Sequence, residues 1–372
     1  MSKSIAILTS SRADFGIYLP LLNLLKKDAS FDLKLIVFGT HLSKLHGHTV
    51  DEIMAEGFNA DYKLFAEITN NRAEDIANNY AEYTQLFSTF WASHTFDLVL
   101  ALGDRFEMAA AVLAGVPYNV KFGHLHAGET TLGAIDNIYR HCITLASSIC
   151  FTSTQMYSER VHQLVEATVP VVNVGALSLD GLENLQLPSK EDLAKHFNLD
   201  FSKPLIMVVF HPETVEPSKN EIYINEVLKA VELMPEFAFA INMPNADTGA
   251  DIIRKAILDF KAKHSENKSI SIIEHFGKRN YFACLKHANL LIGNSSSGII
   301  EAASFNKYVL NMGNRQKGRA KSENTKDCAI DCNEIIIATK TLFKLETYQG
   351  QNIYQRPGST AELILSAIKS FE

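Results

Sequence analysis

Short apolar or β-branched runs alternate with segments of helical periodicity from the first residues onward. Ile5–Thr9 and Leu33–Phe38 read as strands, and the segments after them carry helical spacing, as in Leu21, Leu22, Leu24 and Leu25. The pattern recurs with strand Leu98–Leu102, a helix over about Phe106–Ala114, strand Tyr118–Phe122, a helix around Ile138–Ala146, strand Ile149–Phe151 and a helix around Tyr157–Val165. These strands are apolar throughout rather than alternating, the pattern of a parallel sheet covered on both faces. Gly175, Gly181, Asn184 and Pro188 then interrupt the periodicity, and Ser189 with Asp192 predicts a capped helix start. The alternation resumes with strands Leu205–Phe210, Phe237–Ile241, Ile270–Ile273, Leu290–Ile292 and Tyr308–Asn311. Between them lie helices near Glu221–Leu233 and Ala250–Lys263, a short one ending near His287, and one after Ser295. A last helix, Ala361–Phe371, follows Pro357-Gly358.

The break divides the 372 residues into a Rossmann-like domain over 1–177, a second over 188–356, and a closing helix over 357–372 that is expected to pack back on the first. The fold class is therefore α/β, two facing doubly wound domains. Their chemistry is expected in loops after strands, at the carboxyl edges of both sheets, across one interdomain cleft. A composition of 47% hydrophobic and 21% charged residues excludes disorder for the bulk of the chain. The 35 Lys and Arg against 42 Asp and Glu leave a net charge of −7, which argues against nucleic acid and anionic membranes as partners. An anionic ligand must then be held by a few placed groups. Ile5–Leu8 is too short for a secretion signal, and the run from Leu98 to Val116 is broken by Asp104, Arg105 and Glu107 before it could span a bilayer. A cytoplasmic protein is expected, with its five cysteines as reduced packing residues.

Residues with chemical potential cluster after the strands. Thr9-Ser-Ser-Arg12-Ala-Asp-Phe-Gly16 could hold a phosphate at a helix N-terminus through backbone N–H groups and Arg12, or be an ordinary capped turn; it is not a GxGxxG fingerprint. Gly103-Asp104-Arg105-Phe106-Glu107 places two carboxylates and a guanidinium at one strand end, although Asp104 could also be a simple N-cap. His124-Leu-His126-Ala-Gly-Glu129, continuing to Asp136, Arg140 and His141, is the densest region. His124, His126 and Glu129 could suggest a metal, but no further ligand set is evident. The stronger reading is acid/base chemistry by Asp104, Glu129 and Asp136, with Asp136 and Arg140 at i, i+4 also able to form a plain ion pair. From the second half come His211-Pro-Glu213-Thr, the loop Gly293-Asn-Ser295-Ser296-Ser297-Gly298 with Glu301 beyond it, and the basic run Asn311 to Arg319. A Gly/Ser loop entering a helix can offer several donors to a diphosphate, and Glu301 could reach ribose hydroxyls.

Together these motifs resemble the hydrolysing UDP-N-acetylglucosamine 2-epimerases, and the match runs in order along almost the whole chain. It includes Ser11–Gly16, Gly103–Glu107, His124–Glu129, Asp136 with Arg140-His141, Val209–Thr214, Asn245–Gly249, Gly293–Gly298 with Glu301, and Asn311–Arg319. The resemblance implies a GT-B-like fold that binds a UDP-sugar, needs no metal or redox cofactor, and forms a homodimer or homotetramer. By resemblance Arg12, Arg140, Ser295, Ser296 and Arg315 face the diphosphate, with Arg105 also on the substrate. Glu301 takes the ribose, Tyr281 lies against uracil, and Asp104, Glu129, Asp136 and His211 are catalytic. It further implies removal of the C2 proton with loss of UDP, then hydration of a 2-acetamidoglucal to free N-acetylmannosamine. A relative acting on UDP-N,N′-diacetylbacillosamine is the alternative, and a GT-B glycosyltransferase a remoter one. Here Ala127 replaces the second residue of the usual His-Gly-Gly, and His126 stands where non-hydrolysing relatives carry Glu, which favours the hydrolysing branch.

Overall fold

The computed structural model describes residues 2–43, 47–67, 72–244 and 249–371. The motif Asn245–Gly249 therefore lies, except for Gly249, outside the described residues. The chain forms two compact units, one of Met1–Glu129, Ile135–Gly181 and Tyr354–Glu372, the other of Thr130–Ala134 and Leu182–Ile353.

The first unit runs β1 (Lys3–Thr9), α1 (Arg12–Lys27), β2 (Phe31–Val37), α2 (Val50–Ala55), β3 (Tyr62–Lys63), α3 (Ala73–Trp91), β4 (Leu98–Leu102), α4 (Phe106–Gly115), β5 (Phe122–Leu125), α5 (Asp136–Leu145), β6 (Ile149–Thr152), α6 (Gln155–Leu164) and β7 (Val171–Asn173). Its strands form one parallel sheet in the order β3-β2-β1-β4-β5-β6-β7. One face is covered by α1, whose Leu21, Leu22 and Leu25 pack with Ile5, Ile7 and Leu100. The other is covered by α3 and α4, through Tyr83, Phe87 and Trp91 with Met108 and Val112.

The second unit contains α7 (Lys190–Phe197), β8 (Leu205–Val209), α8 (Asn220–Glu232), β9 (Ala238–Asn242), α9 (Ala250–Lys263), β10 (Ile270–Ile273), α10 (Lys278–His287), β11 (Leu290–Gly293), α11 (Ser296–Ile300), β12 (Tyr308–Met312), β13 (Thr325–Cys328) and α12 (Cys332–Phe343). Its parallel sheet has the order β10-β9-β8-β11-β12-β13. The closing helix α13 (Thr360–Ser370) returns to the first unit, where Ala361, Ile364 and Ile368 join the core beside α1. Among the described residues no helix is long and apolar enough to cross a membrane.

Besides β3, β7, β13 and α12, which the hydrophobic pattern does not predict, three further elements differ from the sequence expectation. The strand expected at Tyr118–Phe122 lies at Phe122–Leu125, because Val116–Tyr118 forms a 3-10 turn with Pro117 inside it and Asn119 closes it at φ 54°. Helix α3 was not expected; its buried face, Asn79, Tyr83, Phe87, Phe90 and Trp91, is carried by polar and aromatic residues rather than a leucine stripe. The helix after Ser295 is only five residues long, so Glu301 is its C-cap rather than an interior residue.

Candidate active site

In each unit the strand order reverses beside its first strand, between β1 and β4 and between β8 and β11. Loops diverge there at the carboxyl ends, the position where open α/β sheets place ligands.

In the first unit, Gly103 ends β4 at φ 79° and turns the chain so that Asp104 meets Arg140 of α5 in a direct ion pair. Asp104 does not cap α4, whose N-cap is Arg105 with no side-chain cap bond. Arg140 is 4% exposed; its Nη1 donates to the His126 carbonyl at 3.1 Å and lies 3.8 Å from Glu129 Oε2. Glu129 is buried, and its Oε1 accepts from His126 Nδ1 at 2.7 Å and from the Ser153 hydroxyl at 2.7 Å. His126 holds a left-handed backbone at φ 63°, uncommon for a residue with a Cβ, and its Nε2 is buried without a hydrogen-bond partner. Asp136 opens α5, half-buried, one turn before Arg140. Arg105 Nε donates to Glu107, which is fully buried.

His124 belongs to the core of the strand. Its Nε2 donates to the Gly103 carbonyl at 2.8 Å, and its Nδ1 lies 3.0 Å from the hydroxyl oxygen of Thr144, which itself donates to the Arg140 carbonyl at 2.9 Å. Burial lowers its pKa to about 3, so it stays neutral. At the end of β1, Ser11 and Asp14 form a capping box, and the Asp14 carboxylate takes the Ser10 and Ser11 amides at 3.0 and 3.1 Å. Those two donors are thus committed within the loop. Arg12 stands half-buried at the first helical position, 3.6 Å from Glu52. Behind this loop the buried His41 bridges Thr9 and Thr49 at 2.9 and 2.8 Å.

In the second unit, Asn294 joins the ends of β8 and β11: its side chain accepts the His211 amide at 2.7 Å and donates to the His211 carbonyl at 2.8 Å. His211 is thereby fixed as a buried imidazole at the strand end. The close approach requires Gly293, since a Cβ there would stand 1.9 Å from the Val209 oxygen. Ser295 caps α11, accepting the Ser297 amide, and Ser296 is its first residue. Ser297 hydrogen-bonds the Tyr281 hydroxyl at 2.7 Å and Glu301 at 2.5 Å. Burial, with Glu301 adding to it, raises the Tyr281 phenol. Arg315 sits in a turn pinned by Glu213, whose buried Oε1 accepts the Asn314 and Arg315 amides at 2.7 and 3.2 Å. Gln316 Nε2 ties the turn to the Asn294 carbonyl at 2.9 Å.

Comparison with known proteins gives the family. The profile of the UDP-N-acetylglucosamine 2-epimerase family matches residues 23–369. The chain belongs to that family. It is 34% identical to polysialic acid biosynthesis protein P7 of Escherichia coli over 90% of this chain and 84% of that one. It is 30% identical to the hydrolyzing UDP-N,N′-diacetylbacillosamine 2-epimerase of Legionella pneumophila over 100% of this chain and 96% of that one. The crystal structure of UDP-GlcNAc 2-epimerase from Neisseria meningitidis bound to UDP-GlcNAc superposes with a TM-score of 0.82 at 18% identity, over 98% of this chain and 99% of that one. The two-sheet α/β fold is thus that of UDP-N-acetylglucosamine 2-epimerase structures.

For this epimerase-family chain, the structure brings Asp104, Glu129 and Arg140 together in the first unit, and Ser295, Arg315 and His211 around Asn294 in the second. Arg140 is turned onto the two carboxylates. The tyrosine, serine and Glu301 cluster forms a separate hydrogen-bonded chain. Sequence reading gave no role to Ser153, Glu213 or Asn294, which act through tertiary hydrogen bonds. His126, read from sequence as one of three possible metal ligands and as a marker of the hydrolysing branch, is in the structure the hydrogen-bond partner of Glu129. Among the described residues no group of three or more His, Cys, Asp and Glu is arranged to hold a metal ion.

Proposed function

We propose that the protein is a hydrolysing 2-epimerase that converts UDP-N-acetylglucosamine to UDP and free N-acetylmannosamine. The observation that carries this reading is the pair of carboxylates, Asp104 and Glu129, gripped by one buried arginine at the carboxyl ends of adjacent strands. A C2–H is weakly acidic, so its removal needs a positioned base acting while the C1–O bond breaks. Asp104, Glu129 and Asp136 are the proton carriers: one takes the C2 proton as UDP leaves C1, giving a 2-acetamidoglucal. Water then adds its hydroxyl to C1 while a proton is delivered to C2 from the opposite face. His211 acts as acid or electrostatic partner of the leaving oxygen. Ser295, Ser296 and Arg315, with Arg12 and Arg105, answer the diphosphate, and Glu301 and Tyr281 serve the ribose and uracil. Arg140 keeps Asp104 and Glu129 in place. The hydrolysing branch is supported by the Legionella relative, whose name carries that chemistry and which matches the whole chain.

That relative also supports a second reading, the same chemistry on UDP-N,N′-diacetylbacillosamine. Incubation of the purified protein with each UDP-sugar in D2O, without acceptor, tests both. Release of UDP with free N-acetylmannosamine deuterated at C2 is expected from UDP-N-acetylglucosamine. Product lacking deuterium at C2 overturns the elimination scheme, a product still linked to UDP overturns hydrolysis, and turnover of the bacillosamine sugar alone selects the second reading. Asp104→Asn, Glu129→Gln and Asp136→Asn should each lose turnover by roughly 10²-fold or more while keeping UDP affinity.

A further inference from the structure

Five residues, Thr130–Ala134, pack with the second unit although Glu129 before them and Ile135 after them belong to the first. They are seated on the turn that carries Arg315. The Leu132 amide donates to the Lys317 carbonyl at 2.9 Å. Gly133 is buried so tightly against that turn that a Cβ would stand 2.2 Å from the Asn314 oxygen and 2.5 Å from the Arg315 Cα. Gly318, at φ 81°, leaves room for Thr130 and Leu132 in the same way, a Cβ there reaching Thr130 Cγ2 at 2.8 Å. The turn is in its turn anchored to Glu213 after β8 and to Asn294 after β11. The run is therefore short, largely buried and fixed at its middle. From Glu129 to the Leu132 anchor is three residues, at most about 10 Å of extended chain. A shift of the Arg315 turn has little slack in which to dissipate before it reaches Glu129 on one side and Asp136 on the other.

We propose that Thr130–Ala134 is a strap that couples a nucleotide diphosphate at the Arg315 turn to the placement of Glu129 and Asp136, with Gly133 as its positioning residue. The inference rests on the proposed reading of Arg315 and the serine loop as the diphosphate site. It gives the reaction a safeguard: the carboxylates reach working geometry when the leaving group is seated, and water at an empty site meets a misaligned set. Misplacement by about 1 Å can cost roughly 10²-fold in rate.

Hydrogen exchange of the full chain, followed by mass spectrometry with and without UDP, tests the coupling. UDP is expected to slow exchange in peptides covering 293–301 and 313–319, and also in those covering 126–138. Gly133→Ala should retain the slowing at 293–301, lose it at 126–138, and lower kcat roughly 10²-fold with KM changed far less. Slowing confined to 293–319 in the unaltered protein overturns the strap while leaving the nucleotide site intact, and it requires no variant to fold. Gly133→Ala with unaltered kcat overturns it as well. If UDP changes exchange nowhere, the nucleotide reading fails and the strap fails with it.

Discussion

Arg140 offers a fork to three acceptors at once: Asp104, the His126 carbonyl and, at longer range, Glu129. A lysine carries one compact charge and cannot serve that geometry, so Arg140→Lys keeps the charge and loses the alignment. Its kcat should fall roughly 10²-fold with UDP affinity little changed, as steady-state kinetics and calorimetry would show; a kcat near that of the unaltered protein would remove Arg140 from the carboxylate set. Two buried histidines make a separate prediction about pH. Burial lowers His124 to about 3 and His41 to about 4, against 6.5 for a free imidazole. As pH falls below 6.5 the unfolded chain takes up protons that the folded chain refuses. Stability is therefore complete above pH 6.5 and declines below it, by up to about 1.4 kcal/mol per pH unit for each histidine, until the folded pKa is reached. Denaturant melts between pH 7 and 4.5 should show that slope, and His124→Gln, which keeps a donor for the Gly103 carbonyl, should remove one histidine's share. Equal slopes in both proteins would mean that His124 titrates freely when folded. At this scale Asp104, Glu129 and His211 could be marked from sequence because each follows a strand, and Arg140 because it stands one turn after Asp136, which opens a helix. Ser153 and Glu213 could not, since their roles exist only once distant loops meet.

The strands were the most legible elements, because β4, β8 and β11 are continuous apolar runs buried along their length. Helix α3 escaped notice because its core face is made of aromatics and an asparagine, and β13, a half-exposed edge strand of Thr-Lys-Asp-Cys, has no apolar signal at all. The shift of β5 came from a proline turn and a left-handed Asn119, which local hydrophobicity does not encode. Where β11 meets α11, backbone geometry dictates the residue. Gly293 has φ 147° and sits against the Val209 carbonyl, whereas Gly298 in α11 has side-chain tips as its nearest neighbours, Leu291 Cδ2 at 3.0 Å and Val309 Cγ1 at 3.1 Å. Gly293→Ala should cost about 3 kcal/mol or more and weaken UDP binding, because strand β8 has to move. Gly298→Ala should cost less than about 1.5 kcal/mol, since those side chains can shift. Equal stability of the two variants in urea would show that the β8–β11 edge is more yielding than its geometry indicates.

At the scale of the whole chain, the path between units matters more than the count of elements. The chain leaves the first unit at Glu129, returns at Ile135, leaves again after Gly181 and comes back at Tyr354. The last return completes a core that the preceding residues leave open. Tyr354, Ile364 and Ile368 are fully buried there. Tyr354 hydrogen-bonds Tyr157 at 3.2 Å and accepts the Ala176 amide at 2.9 Å, while Asp180 accepts the Thr360 amide at 2.9 Å at the start of α13. Burial of three such side chains stabilises by roughly 5–8 kcal/mol. That is comparable with the entire 5–15 kcal/mol, approximately, by which a domain is stable. A chain ended after Ile353 should therefore lose the first unit's unfolding transition and all turnover. The second unit, whose segments all lie within Thr130–Ile353, should keep its own transition. Calorimetry separates the two outcomes: one transition should vanish, and UDP at a hundredfold excess over Kd should stabilise the survivor by about 2.7 kcal/mol. A truncated chain that still released UDP from UDP-N-acetylglucosamine would show that the first unit holds its carboxylates without α13.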